Sequence, residues 1–271
     1  MRLLLQLLAV AVVGLVGGQA AVAADWNTVL TLVIGVATAV LSLVVYRWVV
    51  SRTEKRAPAE VAAKGAVRAT ALGLLIGLGW YFAVISNITF LGYYKVEGFG
   101  SAAGPIAFLG FTAAAAVTEE VLFRGVLFRV FEERVGTWIS LLVTGALFGV
   151  WHLSAGVWGA IATALAAGGL FAAAYAATRN LWLPIGLHFA WNYAGGGIFG
   201  TAVSGQDAPK GLLDGVTSGP TLLSGGDFGP EGSMYTIGFG LLLTAAFLWV
   251  ARRRGRLVPV RGSQAKAKAL T

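Results

Sequence analysis

Three short polar motifs lie inside stretches of this chain that are otherwise apolar enough to enter a lipid bilayer. Carboxylate, imidazole and amide groups can together accept a proton from water and stabilise an oxyanion. The chain has only 12 Asp and Glu residues and two histidines. Burial in lipid is costly for such groups, so their placement indicates a functional site. The motifs are Glu119-Glu120-x-x-x-Arg124, Phe148-x-x-x-His152 and His188-x-x-x-Asn192.

The first motif places two adjacent carboxylates one helical turn before an arginine. Residues four apart share a helix face, so Glu120 and Arg124 are expected to form a charge-assisted pair. Glu119 is rotated by about 100° from its neighbour and needs another partner. A buried carboxylate of this kind is suited to act as a general base. The alternative is that both carboxylates form ion pairs that only pack helices.

The two histidines also have packing alternatives to a chemical role. His152 ends an apolar run and could be a hydrogen-bonded packing residue. His188 and Asn192 share a helix face, where they could stabilise an oxyanion, bind a metal or join two helices. So many polar groups in three apolar segments exceed what helix packing requires, and they are the parts of a hydrolase site.

Composition and hydropathy predict an all-α fold, a polytopic transmembrane helix bundle with seven or eight membrane helices. The 271 residues are 57% hydrophobic and 12% charged, with a mean hydropathy of +0.78. An ordinary soluble domain has about 25% charged residues. Runs of about 20 apolar residues span a bilayer as helices. Seven runs cover approximately 28–46, 69–91, 103–131, 138–153, 157–178, 181–202 and 234–251.

An eighth apolar run, at residues 3–24, has two interpretations. Arg2 before it and Ala21-Val22-Ala23 near its end are typical of a secretory signal peptide with a small-residue cleavage site. The same run could be an uncleaved first transmembrane helix. The sequence contains no cysteine, so disulfides and a cysteine nucleophile are excluded for these 271 residues.

Lysine and arginine residues concentrate in alternate connections between the apolar runs. All 20 except Lys95 and Lys210 lie at Arg2, at 47–68, at 124–134, at position 179 or after residue 251. The positive-inside rule therefore predicts a multi-pass cell membrane protein with a cytoplasmic C-terminus. The net charge of +8 follows from this topology and does not indicate nucleic-acid binding.

The three motifs, in this order on successive helices, resemble the CAAX-protease and bacteriocin-processing (CPBP) family. This is the Abi or Rce1-like group of intramembrane endopeptidases. The resemblance covers roughly residues 103–200, and the flanking helices resemble the family only in hydropathy. It implies an enzyme that hydrolyses a peptide bond of a peptide or membrane-protein substrate, as CAAX-type prenyl proteases do. It also implies cleavage within or near the cytoplasmic half of the membrane.

The resemblance further implies a role for each motif residue. Glu119 would be the general base and would activate water together with His152. His188 and Asn192 would form the oxyanion hole. Helix geometry leaves a difficulty, because at about 1.5 Å per residue His152 lies roughly 20 Å from the cytoplasmic start of its run and His188 roughly 10 Å. The two meet only if their helices are tilted or begin at different levels.

The sequence favours a site without a metal cofactor, although zinc is chemically possible. Members of the family have been described both as metalloproteases and as glutamate-dependent proteases. The chain has no zincin motif His-Glu-x-x-His. If zinc is used, its ligands would be Glu119, His152 and His188. The resemblance also implies that Glu120 and Arg124 hold the site in shape, with or without a metal.

Two other functions remain alternatives. The chain could be a non-catalytic immunity or scaffolding protein of the same family, or an ion-coupled transporter in which buried ionisable groups form an ion path. Transporters are usually built from repeated halves, and this sequence shows no such repeat. The expected partners are a peptide or membrane-protein substrate and the lipid bilayer, with no nucleic acid. The sequence does not specify an oligomeric state.

These patterns divide the chain into five regions. The connection 204–233 is rich in Gly, Ser and Pro and is predicted to be flexible, with a functional loop as the alternative. The regions are a signal-peptide-like segment or first helix at 1–24, an N-terminal transmembrane region at 25–102 with a basic cytoplasmic loop at 47–68, a catalytic helix core at 103–203, a flexible extracytoplasmic loop at 204–233, and a last helix with a basic cytoplasmic tail at 234–271.

Overall fold

The structure, a computed structural model, describes residues 1–206 and 209–260 as a bundle of apolar helices. Six helical stretches are long and apolar enough to cross a membrane. The predicted all-α polytopic bundle is thereby confirmed. The α-helices are α1 (Arg2–Ala23), α2 (Thr28–Glu54), α3 (Ala66–Phe90), α4 (Ala103–Glu120), α5 (Arg129–Trp151), α6 (Val157–Thr163), α7 (Gly169–Thr178), α8 (Trp182–Asn192), α9 (Thr221–Ser224) and α10 (Met234–Arg253).

Wide π-helical turns continue three of these helices. They cover Val121–Phe128 between α4 and α5, Ala164–Gly168 between α6 and α7, and Tyr193–Ile198 after α8. Such turns leave carbonyl groups with looser partners than an α-helix does and are frequent at functional sites. The first and third turns directly follow Glu120 and Asn192, so they adjoin two of the three motifs.

Gly136 divides the 49-residue stretch Ala103–Trp151 into two membrane passes. Its φ of 78° lies in the left-handed region, which glycine adopts without steric cost. A Cβ atom there would also lie 2.8 Å from the carbonyl oxygen of Val258. With this break the six stretches make seven passes, and α8, with 11 residues, is shorter than the six stretches.

Glycine residues bring α3 and α8 into backbone contact. A Cβ atom at Gly73 would lie 2.2 Å from the Leu183 carbonyl oxygen, and one at Gly77 would lie 2.4 Å from that of Leu187. Close approach of this kind holds membrane helices together where lipid offers no hydrophobic driving force. The contact fixes α8, which carries the third motif, against a neighbouring span.

The N-terminal run forms a helix whose buried polar residue is satisfied by the rest of the bundle. Gln6 is fully buried and donates to Thr53 Oγ1 and Glu54 Oε1, both at 2.8 Å. It accepts a hydrogen bond from Arg129 Nη2 at 3.2 Å. These bonds attach α1 to α2 and to the start of α5.

The connection 204–233, predicted to be flexible, is built from short regular elements outside residues 207–208. Strand β2 (Leu213–Thr217) pairs antiparallel with β1 (Tyr94–Phe99). Phe228 is only 4% exposed and packs where a side chain at Gly159 would clash with it. Glycine allows the positive φ of the tight turns here, so the composition that suggested flexibility instead permits compact folding.

The first residues after α10, where the predicted basic tail begins, pair with the rest of the bundle. Val258 N donates to Thr137 Oγ1 at 2.7 Å, and Thr137 N donates to the Val258 carbonyl at 2.9 Å. Residues 256–260 therefore pack on the Gly136 break, because the interrupted helix leaves backbone groups free to pair. The rest of the predicted basic tail, residues 261–271, lies outside the described residues.

Candidate active site

The ion pair expected between Glu120 and Arg124 is present in the centre of the bundle. Arg124 Nη1 donates to Glu120 Oε1 at 2.9 Å, and the two side chains are 1% and 0% exposed. Arg124 Nη2 also donates to the carbonyl of Gly168 at 3.1 Å, at the end of the second π-helical turn. Buried charges need such partners, because removing either one leaves the other uncompensated. The pair therefore ties the first motif to the α6–α7 span.

Two phenylalanine rings enclose the guanidinium group of Arg124. Its Cζ atom lies 4.4 Å from the ring centroid of Phe148 and 5.1 Å from that of Phe171. Phe171 also stacks on the His188 ring at 4.8 Å, with 21° between the planes. The sequence singled out Phe148 but gave no signal for Phe171, which is one apolar residue among many in its run.

Glu120 also determines which nitrogen of His188 faces the site. His188 Nδ1 lies 2.9 Å from Glu120 Oε1, and a carboxylate paired with arginine is an acceptor, so Nδ1 carries the proton. His188 Nε2 lies 4.0 Å from Glu119 Oε2, which is too long for a hydrogen bond. Glu119 Oε2 is buried and has no hydrogen-bond partner among the described residues.

His152 has its ring fixed in the same way by the backbone. Its Nδ1 donates to the carbonyl of Phe148 at 2.8 Å, one of the carbonyls that the end of a helix leaves free. Its Nε2 therefore keeps a lone pair. The four-residue spacing of the second motif therefore has two effects. It places Phe148 and His152 on one helix face, and it brings the His152 ring within hydrogen-bonding distance of the Phe148 carbonyl.

The structure brings the three motifs to adjoining cavities. Glu119, His152 and Asn192 line one of about 100 Å³, and His152, His188 and Asn192 line another of about 20 Å³, roughly the space of one water molecule. The sequence predicted that His152 and His188 would lie at different depths. They line the same cavity because α8 begins beside Gly73, which lies seven residues into α3. His188 consequently lies deeper than counting from the start of its own helix suggests.

Comparison with known protein families agrees with this geometry. Residues 101–194 match the family model Rce1-like, described as type II CAAX prenyl endopeptidase Rce1-like. The matched segment contains all three motifs. Residues 101–194 are therefore similar to this family, and we refer to them as the Rce1-like core. No curated protein and no solved structure matches the chain.

The connection after the Rce1-like core completes the outer wall of the cavities. Val203, Ser204 and Gln206 line the larger cavity, and Glu231 lines the smaller one. Glu231 accepts hydrogen bonds from Trp191 Nε1 at 2.7 Å and from Ser204 N and Oγ at 2.7 and 2.9 Å. Sequence reasoning missed this carboxylate, because no spacing links it to the motifs and its surroundings suggested a flexible loop.

A third cavity, of about 180 Å³, reaches Glu119 from between α1 and α4. Its lining is mostly apolar and includes small residues of α1, among them Gly14 and Gly18, together with Leu122 and Trp151. Space of this size and character holds a hydrocarbon group of roughly benzene size. The Rce1-like core therefore has an apolar compartment beside its unpaired carboxylate.

The three zinc ligands named as an alternative do not gather into a ligand cluster. Among the described residues, no three His, Cys, Asp or Glu side chains lie close enough together to hold one metal ion. Glu119 Oε2 and His188 Nε2 lie 4.0 Å apart. His152 lines one cavity with Glu119 and another with His188. The side chains as arranged do not fit a preformed zinc site.

A second polar cluster supports the Rce1-like core at the end of the bundle that carries the basic segments. Arg129 binds both oxygens of Glu54, at 2.7 and 2.9 Å. Arg56 binds Glu60 at 2.8 Å, and Tyr46 donates to the same carboxylate.

Burial acts to raise the pKa of Glu60, but hydrogen bonds from Arg56 and Tyr46 outweigh the effect of burial and hold the pKa below its ordinary value.

Proposed function

We propose that this protein is an intramembrane endopeptidase that hydrolyses a peptide bond of a peptide or membrane-associated protein, with Glu119 as the general base. One observation carries the proposal. Within an Rce1-like core, Glu119 has a buried oxygen with no hydrogen-bond partner among the described residues, and its side chain lines a cavity together with His152 and Asn192. An unpaired buried carboxylate oxygen is costly for stability, so its retention suits a group that acts on a reactant.

The proposed reaction begins with a water molecule between Glu119 and the scissile carbonyl. As the water oxygen bonds to the carbonyl carbon, its proton passes to Glu119. His152 Nε2, which keeps a lone pair, orients the same water. The tetrahedral intermediate collapses when the C–N bond breaks, and the leaving nitrogen takes the proton from Glu119. The products are a free carboxyl group and a free amine.

Asn192 is the neutral donor suited to the oxyanion of that intermediate. A neutral imidazole carries one N–H proton, and in His188 this proton lies on Nδ1, which donates to Glu120. His188 can therefore donate from Nε2 only as an imidazolium ion. Glu120 stabilises that ion when it forms. Removing one oxyanion donor typically lowers kcat by about 10²–10³-fold, which is the loss we expect for Asn192→Ala.

Substitution Glu119→Gln tests the proposal, because it keeps size and removes the base. We expect cleavage in membranes to be lost while the protein stays folded. The matched control is Glu133→Gln, since Glu133 is 41% exposed and pairs with Arg2 at the surface. Cleavage by Glu119→Gln at the wild-type rate would refute the role of Glu119. Unfolding of Glu119→Gln without activity in any variant would favour the scaffolding alternative.

A further inference from the structure

The cavity that holds Glu119 is closed toward one end of the bundle. Beyond Glu119 on that side lie the ion pair Glu120 and Arg124 and the rings of Phe148 and Phe171, each at most 1% exposed. Fully buried charges packed between aromatic rings leave no path for a peptide. A substrate therefore does not reach Glu119 from this end.

The opposite end of the cavity is open. The exposed residues in its lining are Trp151 at the end of α5, Ser154 after α5, and Gln206 in the turn after the third π-helical segment. Between them the wall is the turn at 203–206, in which Ser204 has a φ of 52°. This conformation costs a serine free energy, so it persists only where the surroundings enforce it. Glu231 enforces it with two hydrogen bonds to Ser204.

The distribution of charge shows which side of the membrane this opening faces. The connections that line it, after α5 and before α10, belong to the end of the bundle where, among the described residues, the basic side chains are those of Lys95 and Lys210. The other lysines and arginines within residues 1–206 and 209–260 lie at the closed end or in the helices that lead to it. By the positive-inside rule, the closed end is cytoplasmic and the open end is extracytoplasmic.

We infer that the substrate enters from the extracytoplasmic side, between Ser154 and Gln206. The substrate class is then a translocated peptide or the outer juxtamembrane part of a membrane protein. This replaces the expectation of cleavage in the cytoplasmic half of the membrane. The chemistry rests on the proposed peptidase function, whereas the direction of entry rests on the cavity and on the charges.

The absence of cysteine from the sequence gives a clean background for the test. Ser154→Cys and Gln206→Cys mark the entrance, and Arg252→Cys, exposed at the end of α10, marks the other side. Intact cells are treated with a bulky maleimide that cannot cross the membrane. We expect both entrance cysteines to be labelled at once, and Arg252→Cys only after permeabilisation.

Cleavage is measured in the same samples to separate the direction of entry from the peptidase function. Labelling of Ser154→Cys should lower cleavage at least tenfold, whereas labelling of Arg252→Cys in permeabilised cells should not change it. Entrance cysteines that react only after permeabilisation would overturn the inference, as would unchanged cleavage after full labelling of Ser154→Cys. The expected labelling without any cleavage before treatment would refute the proposed function and leave the orientation standing.

Discussion

Replacing Arg124 by methionine should destabilise the protein strongly, and the structure gives the size of the effect. The substitution keeps a flexible side chain of similar length but removes the arginine partner of Glu120, which is completely buried. Breaking a buried ion pair from one side costs about 3–5 kcal/mol. The carbonyl of Gly168 also loses its donor, which adds about 1 kcal/mol or more.

The measurement is thermal unfolding of the purified protein in detergent. For large domains, each kcal/mol changes Tm by about 2–4 °C, so a loss of about 4–6 kcal/mol in Arg124→Met should lower Tm by roughly 8–24 °C. The double variant Glu120→Gln with Arg124→Met removes both charges. It should be more stable than Arg124→Met alone, since neutral replacement of both partners is often nearly neutral in stability.

The chain offers a matched control in the pair of Arg2 and Glu133, whose side chains are 35% and 41% exposed. Exposed pairs contribute about 0–1 kcal/mol, so Arg2→Met should lower Tm by no more than a few degrees. An unchanged Tm for Arg124→Met would refute the assignment of Arg124 as the buried anchor of the site. A double variant no more stable than Arg124→Met alone would also refute it.

Three further predictions concern other parts of the molecule. Because the pKa of Glu60 is held below its ordinary value, its contribution to stability is complete above the unfolded value of about 4.5 and is lost as the pH falls through the folded pKa. Glu60→Gln should therefore flatten the dependence of Tm on pH below about 5, and an unchanged acid limb would contradict this. Gly18→Leu, which projects into the cavity beside Glu119, should raise KM for cleavage, whereas Gly79→Leu, also open to its surroundings, should not; equal KM values would exclude a substrate role for that cavity. Treatment of the purified enzyme with a chelator should leave the cleavage rate unchanged. Loss of activity with the chelator and recovery with zinc would refute the metal-independent mechanism.

Local spacing alone predicted part of this molecule correctly. The apolar runs specify the membrane helices, because each run is long enough to span a bilayer and every backbone group in lipid must be paired within its own helix. The four-residue spacing specifies the pair of Glu120 and Arg124, since it follows from the helical repeat. The glycines of α3 and the three motifs could likewise be identified without any knowledge of contacts between distant residues.

Only the tertiary structure decided how these parts meet. Glu120 reaches His188 across 68 positions, and this contact determines which imidazole nitrogen faces Glu119. Glu231 enters the wall of the site through contacts with Trp191 and Ser204, although its own segment suggested flexibility. Such contacts depend on helix tilt, π-helical turns and glycine-dependent close approach, which bring distant residues together. The periodicity of a sequence determines the face that a residue occupies, but the packing of whole helices determines what that face meets.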